Sequence, residues 1–241
     1  MDFKSAVSAA LDFIFPPRCM VCLDIIPAGQ PKWICAECDG LLEFITEPVC
    51  VRCGAHTESE RGLCAGCAGN PEHINLESNR ALFVYDDITK RLIYNFKYLN
   101  HPEIAEGLSE IMPGPVFRDY LRADMLTYVP LHRRRLYKRG FNQTEAFAKA
   151  VAGKTGVPLH NLLTRKRDTK PQSSLHYHSR LENLTNAFEI NKKTDIRNKS
   201  VIIIDDIYTT GATMEACAET LKKGGAARVK GFSVAVAVKD S

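Results

Sequence analysis

The sequence predicts an α/β protein: an open parallel β-sheet with helices on both faces, preceded by a small cysteine-rich module. From Asn79 onward, short apolar runs typical of strands alternate with amphipathic segments typical of helices, which is the pattern of a parallel sheet. The run Val201–Ile204 consists of β-branched residues without polar alternation, as in a strand buried on both faces. Four C-x-x-C pairs between residues 19 and 67 mark the preceding module.

The composition is that of an ordinary globular protein. The chain has 241 residues, enough for one sizeable domain and a small one, with 45% hydrophobic and 25% charged residues. A net charge of +4 is too mild to indicate nucleic-acid binding by itself. No apolar run approaches the roughly 18 residues that a membrane span needs. We therefore expect a cytoplasmic protein without a membrane span, with attachment at the inner face of the membrane left open.

Residues 1–16 are expected to form a short amphipathic helix packed on the body of the protein. Phe3, Val7, Leu11 and Ile14 recur at helical spacing, and the acidic residues among them argue against a signal-peptide core. Pro16-Pro17 marks the end of this segment. We place the cysteine module at residues 17–70 and the α/β domain at residues 78–241.

Eight of the nine cysteines occur in pairs, and this spacing predicts two structural zinc sites. Two intervening residues let two thiolates converge on one tetrahedral Zn²⁺, and four thiolates close such a site. The simplest pairing joins consecutive pairs, as in tandem zinc ribbons; a cross-braced pairing, disulfides and redox activity remain alternatives. The expected ligands are Cys19, Cys22, Cys35, Cys38, Cys50, Cys53, Cys64 and Cys67, whereas Cys217 is expected in the core.

The module has too few periodic apolar residues to build a core without metal, so zinc would supply its folding free energy. We expect it to dock through a small apolar patch of Trp33, Leu41, Leu42 and Phe44.

The elements of the α/β domain follow in order. Strands are predicted at Ala81–Tyr85, Leu126–Val129 and Val229–Val238 besides the central run; helices at Ile88–Tyr98, Pro102–Met112, Thr144–Val151 and Met214–Lys223; a break at Pro113-Gly114-Pro115; a loop from Arg165 to Ser174; and a helical or turn-like segment at Leu181–Phe188. In the first helix, Leu92, Ile93 and Phe96 are expected to face inward and Lys97 outward.

The central strand leads into a stretch suited to a sugar phosphate. Asp205 and Asp206 follow the apolar run, then Thr209–Thr213 forms a small-polar turn before a helix. Backbone N–H groups of such a turn and the helix dipole favour an anion, and adjacent carboxylates accept hydrogen bonds from vicinal hydroxyls or hold a metal ion. No lysine follows the glycine, so this is not a Walker loop. An ordinary strand–helix connection is the alternative.

Two basic segments could neutralise a bound diphosphate or attract a nucleic-acid backbone. Residues 132–139 carry five cations after a predicted strand end, and residues 165–170 carry four more. Tyr137, Phe141 and Tyr177 could stack on bases, although packing in the core is expected for Phe141. A solvated charged surface is the plainer interpretation of each segment.

The 201–213 stretch resembles the loop that binds 5-phosphoribosyl 1-diphosphate (PRPP) in type I phosphoribosyltransferases: a hydrophobic strand, two acids, then Thr-Thr-Gly-x-Thr. Most of the chain also resembles the ComF family, through the cysteine pairs, Phe96-Lys97-Tyr98, Val129–His132, Arg139–Gln143, Arg167 with Gln172, Arg180 with Asn183, and the PRPP-like stretch. This resemblance implies a type I phosphoribosyltransferase-like domain behind a double zinc ribbon. It also implies a role in natural transformation, with handling of incoming single-stranded DNA and possible competence-protein partners.

The resemblance also implies site residues. Asp205 and Asp206 would be the catalytic pair, with Mg²⁺ accompanying PRPP. The PRPP contacts would be these two acids with Thr209, Thr210, Gly211, Ala212, Thr213, Pro130, Leu131, His132 and Arg133. Contacts to DNA or pyrophosphate are expected from Lys97, Arg134, Arg135, Lys138, Arg139, Asn142, Gln143, Arg167 and Gln172.

Two functional interpretations are compatible with these residues, and a structural adaptor is a third. The protein could bind PRPP and DNA, or it could transfer a phosphoribosyl group from PRPP to an acceptor with release of pyrophosphate. The second requires an acceptor site, and no segment beyond the last strand is long enough to build one. The sequence names no nucleobase.

Overall fold

The structure is a computed structural model that describes residues 16–27, 29–59, 62–69, 74–99, 101–167, 184 and 186–237. The predicted N-terminal helix, Gln172 and Tyr177 lie outside the described residues, as do most of the predicted 165–174 loop and half of the predicted 181–188 segment.

In the part of the chain that the structure describes, six strands form a main sheet and a small ribbon. The strands are β1 (Asn79–Val84), β2 (Met125–Tyr128), β3 (Leu163–Arg165), β4 (Phe188–Ile190), β5 (Ser200–Tyr208) and β6 (Arg228–Val236). The main sheet is parallel throughout, in the order β1-β6-β5-β2, and β3 pairs with β4 in antiparallel fashion. The run of β-branched residues in β5 therefore lies inside the sheet, as its lack of polar alternation predicts.

Helices cover both faces of this sheet. They are α1 (Ala36–Asp39), α2 (Ala65–Ala68), α3 (Asp87–Tyr98), α4 (Ile104–Ile111), α5 (Gly114–Tyr120), α6 (Arg133–Arg139), α7 (Gln143–Thr155) and α8 (Ala212–Lys223). On one face α3, α4 and α7 pack on Ile202, Ile204 and Phe232. On the other, the buried residues of α8, Cys217 among them, pack on Val201, Ile203 and Val229. The predicted fold class is confirmed.

The structure differs from the prediction at two stretches. Pro113-Gly114-Pro115 does interrupt the helical chain, since α4 ends at Ile111, but the helix α5 that begins at Gly114 was not predicted; proline is well tolerated in the first turn of a helix. The basic segment after β2 was expected to be a loop, but residues 133–139 form α6. His132 caps its start by accepting a hydrogen bond from the Arg134 N–H, and Gly140 ends it in the left-handed conformation that favours glycine.

The cysteine module packs along the open edge of the sheet at β1. The Ile45 N–H donates to the Leu82 carbonyl at 2.9 Å, and the Val84 N–H donates to the Glu43 carbonyl at 3.1 Å. Phe44 and Phe83 pack with ring centroids 4.7 Å apart. These contacts satisfy backbone groups that an edge strand would otherwise present to other chains.

The predicted docking patch is correct for three of its four residues. Leu42 is buried, Phe44 packs as described, and Trp33 lies against α4, where its indole N–H donates to Glu110 at 2.5 Å. A Cβ on Gly107 would come within 2.9 Å of the Trp33 ring, so the indole needs a glycine there. Leu41 was expected in the patch but is 56% exposed.

A buried carboxylate anchors the connection between module and sheet. Glu215 of α8 accepts hydrogen bonds from the backbone N–H groups of Ile74, Asn75 and Leu76 at 2.9–3.1 Å, and from the Asn75 side chain at 2.8 Å. Charge-assisted bonds of this kind hold an otherwise irregular segment in one conformation. Among the described residues, no helix combines the length and apolar character that crossing a bilayer requires.

Candidate active site and metal centres

A polar cavity of about 800 Å³ opens at the carboxyl ends of β2 and β5. In open α/β sheets this is where ligands bind. Its walls come from the end of β5, the segment after β2, and one face of α3. The lining residues are Tyr85, Lys90, Arg91, Ile93, Tyr94, Lys97, Tyr98, Val129, Leu131, Arg135, Arg139, Gln143, Thr144, Arg165, Asp205, Asp206, Ile207, Thr209 and Thr213.

The two adjacent acids lie on β5 itself and are only 8% exposed each. Burial, and the neighbouring charge of Asp206, raise the pKa of Asp205 to about 8. Burial opposes ionisation of Asp206 as well, but the Lys97 ammonium outweighs it and holds the pKa of that carboxyl below its usual range. The pair therefore carries about one negative charge at neutral pH.

Asp206 is held by two side chains from different helices. The Lys97 ammonium lies 2.6 Å from Oδ2, and the Gln143 amide donates to the same oxygen at 2.7 Å. Arg139 in turn donates to the Gln143 carbonyl oxygen. Lys97 was expected on the exposed face of α3, but its side chain is only 18% exposed, because it turns into the cavity to reach Asp206.

A tight turn connects the acids to α8. Gly211 has φ +76°, in the left-handed region that glycine adopts without strain, and α8 begins at the next residue. Thr209 and Thr213 line the cavity, the Thr210 hydroxyl accepts from the Ala212 N–H at 3.5 Å, and Ala212 is buried. The amino end of a twelve-residue helix thus lies beside the acid pair.

The segment after β2 is fixed by side chains of α7 and its N-cap. The Val129 N–H donates to the Ile204 carbonyl, and the Val129 carbonyl accepts from the Asn142 amide at 3.2 Å and the Thr144 hydroxyl at 2.7 Å. Asn142 is 6% exposed and also accepts from the Thr144 N–H. Both ends of its amide therefore position the backbone, and its predicted contact with DNA or pyrophosphate stays a prediction.

The other predicted contact residues are divided among several surfaces. Leu131, Arg135 and Arg139 line the main cavity, and Gln143 lines it while bonded to Asp206. Pro130, His132 and Arg133 instead line a neighbouring cavity of about 580 Å³, which shares Leu131 and Arg165 with the main one. Arg134, Lys138 and Arg167 are exposed outside both cavities. None of these positions tests whether the residues bind a ligand.

The sequence argument missed the wall that α3 contributes. Tyr94 and Tyr98 face the cavity with Lys90 and Arg91, and Arg165 at the end of β3 closes the opposite side. The spacing of Tyr94 and Tyr98, four residues apart on either side of Lys97, is the signal that could have found this wall.

The eight paired cysteines form two clusters. Cys19, Cys22, Cys35 and Cys38 make the first and Cys50, Cys53, Cys64 and Cys67 the second, with all sulfur atoms of a cluster within 4.8 Å of one another. Sulfur separations of 3.9 Å (Cys22–Cys35) and 3.6 Å (Cys53–Cys64) compare with about 3.8 Å for a tetrahedron of Zn–S bonds near 2.3 Å. Consecutive pairs therefore combine, and all nine cysteines are free thiols.

The clusters also show the hydrogen bonding expected of thiolate ligands. Backbone N–H groups of Val21 and Ala55 donate to the sulfurs of Cys19 and Cys53. The donor set fits zinc, and residues of each cluster would hold one structural ion.

Two family models match the chain. A double zinc ribbon domain matches residues 10–69, and a phosphoribosyl transferase domain matches residues 143–239. The zinc ribbon prediction and the phosphoribosyltransferase-like domain are confirmed by these matches. The predicted boundaries at 17–70 and 78–241 stay predictions.

The chain is similar to curated bacterial proteins over most of its length. It is 29% identical over 83% of its length to competence protein ComFC of Bacillus subtilis, of which it covers 83%. It is 28% identical over 76% of its length to the DNA utilization protein YhgH of Escherichia coli K12, covering 87% of it. It is 26% identical over 90% of its length to competence protein F of Haemophilus influenzae, covering 96% of it. The resemblance to the ComF family is confirmed at this level.

Proposed function

We propose, for this ComF-like chain with its double zinc ribbon and phosphoribosyltransferase domain, that the main cavity binds PRPP and that the protein serves DNA uptake in natural transformation. The observation that carries the first part is the buried pair Asp205–Asp206 between a Thr/Gly turn and a cationic wall. A ribose phosphate with a diphosphate presents hydroxyls and two anionic groups, and the cavity offers partners for each.

The partners follow from charge and geometry. Asp205 and Asp206 would accept hydrogen bonds from the ribose 2′- and 3′-hydroxyls. The turn Thr209–Thr213 and the amino end of α8 would bind the 5′-phosphate through backbone N–H groups and hydroxyls. Arg135, Arg139 and Arg165 would compensate the diphosphate, since guanidinium groups pair with phosphate oxygens in bidentate fashion. Mg²⁺, when bound with PRPP, would neutralise part of the diphosphate charge.

The role in DNA uptake rests on the relatives and on the surface charge. Relatives named competence protein and DNA utilization protein support a function in DNA handling. Exposed cations on α6, among them Arg133, Arg134 and Lys138, support contact with the backbone of a single strand in the cytoplasm. Competence proteins are the protein partners that this role suggests. The zinc clusters would be structural, because each has four cysteine ligands and no open coordination position.

The PRPP assignment is tested by thermal unfolding with PRPP and Mg²⁺. At about 100 times Kd, a ligand stabilises the native state by about 2.7 kcal/mol, which for a chain of this size raises Tm by about 5–10 °C. We expect this shift in the wild type and in the control Asp119→Asn, an exposed acid outside the cavity. The shift should disappear in Asp205→Asn/Asp206→Asn. An equal shift in that variant would refute the assignment.

Single-strand binding is tested by salt dependence. The affinity for a labelled oligonucleotide should fall steeply with salt, and replacing Arg133, Arg134 and Arg135 with alanine should flatten the slope by about 0.7 for each lost phosphate contact. Lys192→Ala/Lys193→Ala removes two exposed cations elsewhere and should leave the slope unchanged. Binding that is independent of salt would exclude the nucleic-acid interpretation.

The alternative function is transfer of the phosphoribosyl group. It is favoured by the opposite pKa shifts of Asp205 and Asp206, since environments that push the pKa values of a carboxyl pair apart are typical of active sites. The ribose C1–O bond to the diphosphate would break, a bond from C1 to the acceptor would form, and the acceptor would lose a proton. Pyrophosphate release from PRPP, measured across nucleobases and amines, separates this enzyme from a PRPP-binding protein.

A further inference from the structure

Two tyrosines of α3 expose large aromatic surfaces inside the wall of the main cavity. Tyr94 is 55% and Tyr98 60% exposed, and both line the cavity that contains the acid pair. Their ring centroids lie 5.0 Å apart with an angle of 44° between the ring planes. The apolar residues of the same helix that serve packing, Leu92, Ile93 and Phe96, are at most 2% exposed.

We infer that Tyr94 and Tyr98 form a stacking surface for a nucleobase beside Asp205 and Asp206. This inference rests on the proposed PRPP-binding function and deepens it by naming the chemistry of the second ligand. The base can be free or part of a single DNA strand, because every base presents the same kind of aromatic face.

Helix stability alone does not account for the arrangement. A pair of aromatic residues four positions apart stabilises a helix by a few tenths of a kcal/mol wherever it lies on the surface. Here the pair lies in the wall of a cavity that six cationic and two acidic side chains also line. Tyrosine rings at such a position offer contact area to a planar ligand at low conformational cost.

The rings are connected to the acid pair through two sets of contacts. Lys97, between the two tyrosines in sequence, forms the ion pair with Asp206. The Arg139 guanidinium lies 5.1 Å from the centre of the Tyr98 ring while donating to Gln143, which donates to Asp206. A base on the tyrosines would thus lie beside the residues proposed to hold the ribose. This is where a transferase needs its acceptor and where a strand could enter.

The surrounding charge suits a nucleotide better than a neutral aromatic compound. Lys90 and Arg91 come from the same helix as the tyrosines and line the same cavity. A base linked to phosphate would therefore gain stacking from the rings and ion pairing from these side chains.

The test compares ligands that differ only in their bases. Fluorescence anisotropy would measure binding of a labelled dT 20-mer and of an abasic 20-mer with the same label and phosphates. Equilibrium dialysis would measure retention of adenine, guanine, cytosine and thymine, with and without PRPP and Mg²⁺. Stacking on one base changes affinity by about 5- to 150-fold.

We expect the wild type to prefer the dT 20-mer over the abasic strand by at least about 5-fold, or to retain a free base. Tyr94→Ala/Tyr98→Ala should lose that preference or retention, with unchanged abasic affinity, and Tyr94→Phe/Tyr98→Phe should keep it. Leu41→Ala is the control, since this large apolar side chain is 56% exposed in the cysteine module and lies outside the cavity lining.

A preference for the base-bearing strand identifies the source as DNA, and retention of a free base identifies an acceptor; both support the inference. The inference is overturned if the wild type shows neither effect, if the alanine variant keeps the effect, or if Leu41→Ala abolishes it equally. The PRPP-induced rise in Tm distinguishes a failure of this inference from a failure of the proposed PRPP-binding function. If that rise occurs without base stacking, only this inference fails, whereas its absence from the wild type refutes the proposed function.

Discussion

Replacing Lys97 with methionine should destabilise the protein in a pH-dependent manner. The substitution keeps the aliphatic stem and removes the ammonium 2.6 Å from Asp206 Oδ2. The exposed fractions of the two side chains are 18% and 11%. Breaking a fully buried ion pair by removing one partner costs about 3–5 kcal/mol. The cavity is open to water and Gln143 still donates to Asp206 in the variant. We therefore expect a smaller loss in the free energy of unfolding, about 2–3 kcal/mol at pH 8.

The sign of the pH dependence follows from the two pKa shifts. In the wild type the pKa of Asp206 is lowered, so the ion pair contributes its full stability above the ordinary carboxyl pKa near 4 and loses it only below. Without Lys97, burial beside Asp205 raises the pKa of Asp206. Ionising it then costs free energy, so the stability of the variant falls relative to the wild type as pH rises through neutrality. At pH 6 we expect the free energy of unfolding of the variant to be only about 1 kcal/mol below that of the wild type.

Thermal unfolding at pH 6 and pH 8 with saturating zinc would measure both values. For a chain of this size, 2–3 kcal/mol lowers Tm by about 4–12 °C. Lys90→Met is the matched control on the same helix: its ion pair with Asp87 is exposed to solvent, which screens it, so we expect little change in stability at either pH. The charge balance described for the acid pair would be refuted if both variants lost the same free energy of unfolding. It would also be refuted if the loss in Lys97→Met did not increase between pH 6 and pH 8.

Three further predictions concern the frame around the cavity. Elemental analysis should find two zinc ions per chain in the wild type. Cys22→Ser and Cys64→Ser should each retain about one, since each variant removes a ligand from one cluster. Two zinc ions in either variant would contradict the assignment. Glu215→Gln should lower the free energy of unfolding, measured by chemical denaturation, by about 1–3 kcal/mol, because an amide cannot accept all four hydrogen bonds. It should also speed hydrogen exchange of the backbone amides in residues 74–76. Unchanged exchange would contradict the role of Glu215 as an anchor. Gly231→Ala should lower the free energy of unfolding by about 1–3 kcal/mol, because the added Cβ would overlap with Met214 Sδ. Gly153→Ala is the contrasting variant: its Cβ would meet nothing within 4 Å, so it should stabilise α7 by up to about 1 kcal/mol. Similar unfolding midpoints for the two variants would contradict this contrast.

Local patterns made the strand–turn–helix stretch and the metal clusters predictable. A strand buried on both faces must be apolar throughout, a left-handed residue before a helix favours glycine, and C-x-x-C spacing brings two sulfurs together. Each of these features depends on a few consecutive residues. The sheet order and the pairing of the cysteine pairs needed tertiary contacts, and sequential pairing was the simplest of the alternatives.

The errors arose where several elements meet. Lys97 follows the buried Phe96 and lies about 100° further around the helix, at the edge of the packed face. There, a long aliphatic stem can rest on apolar surface and carry its charge into a cavity. For Asn142 the structure adds a role that the sequence analysis did not assign, the N-cap of α7, and its predicted ligand contact stays a prediction. The aromatic wall was missed because helical spacing places Tyr94 and Tyr98 together but does not show what they face.

A buried amide connects the first metal cluster to the helix that lines the cavity. Asn95 of α3 donates to the carbonyl oxygens of Met20 and Val21, at 3.1 and 2.8 Å, within the first cysteine knuckle. Its neighbours along the chain are Tyr94, Phe96 and Lys97, so the same helical turn touches the knuckle on one side and the cavity on the other. Because zinc would supply folding free energy to a module this small, it would also help to hold the helix that brings Lys97 to Asp206. The metal centre would thereby support the candidate site from outside the cavity.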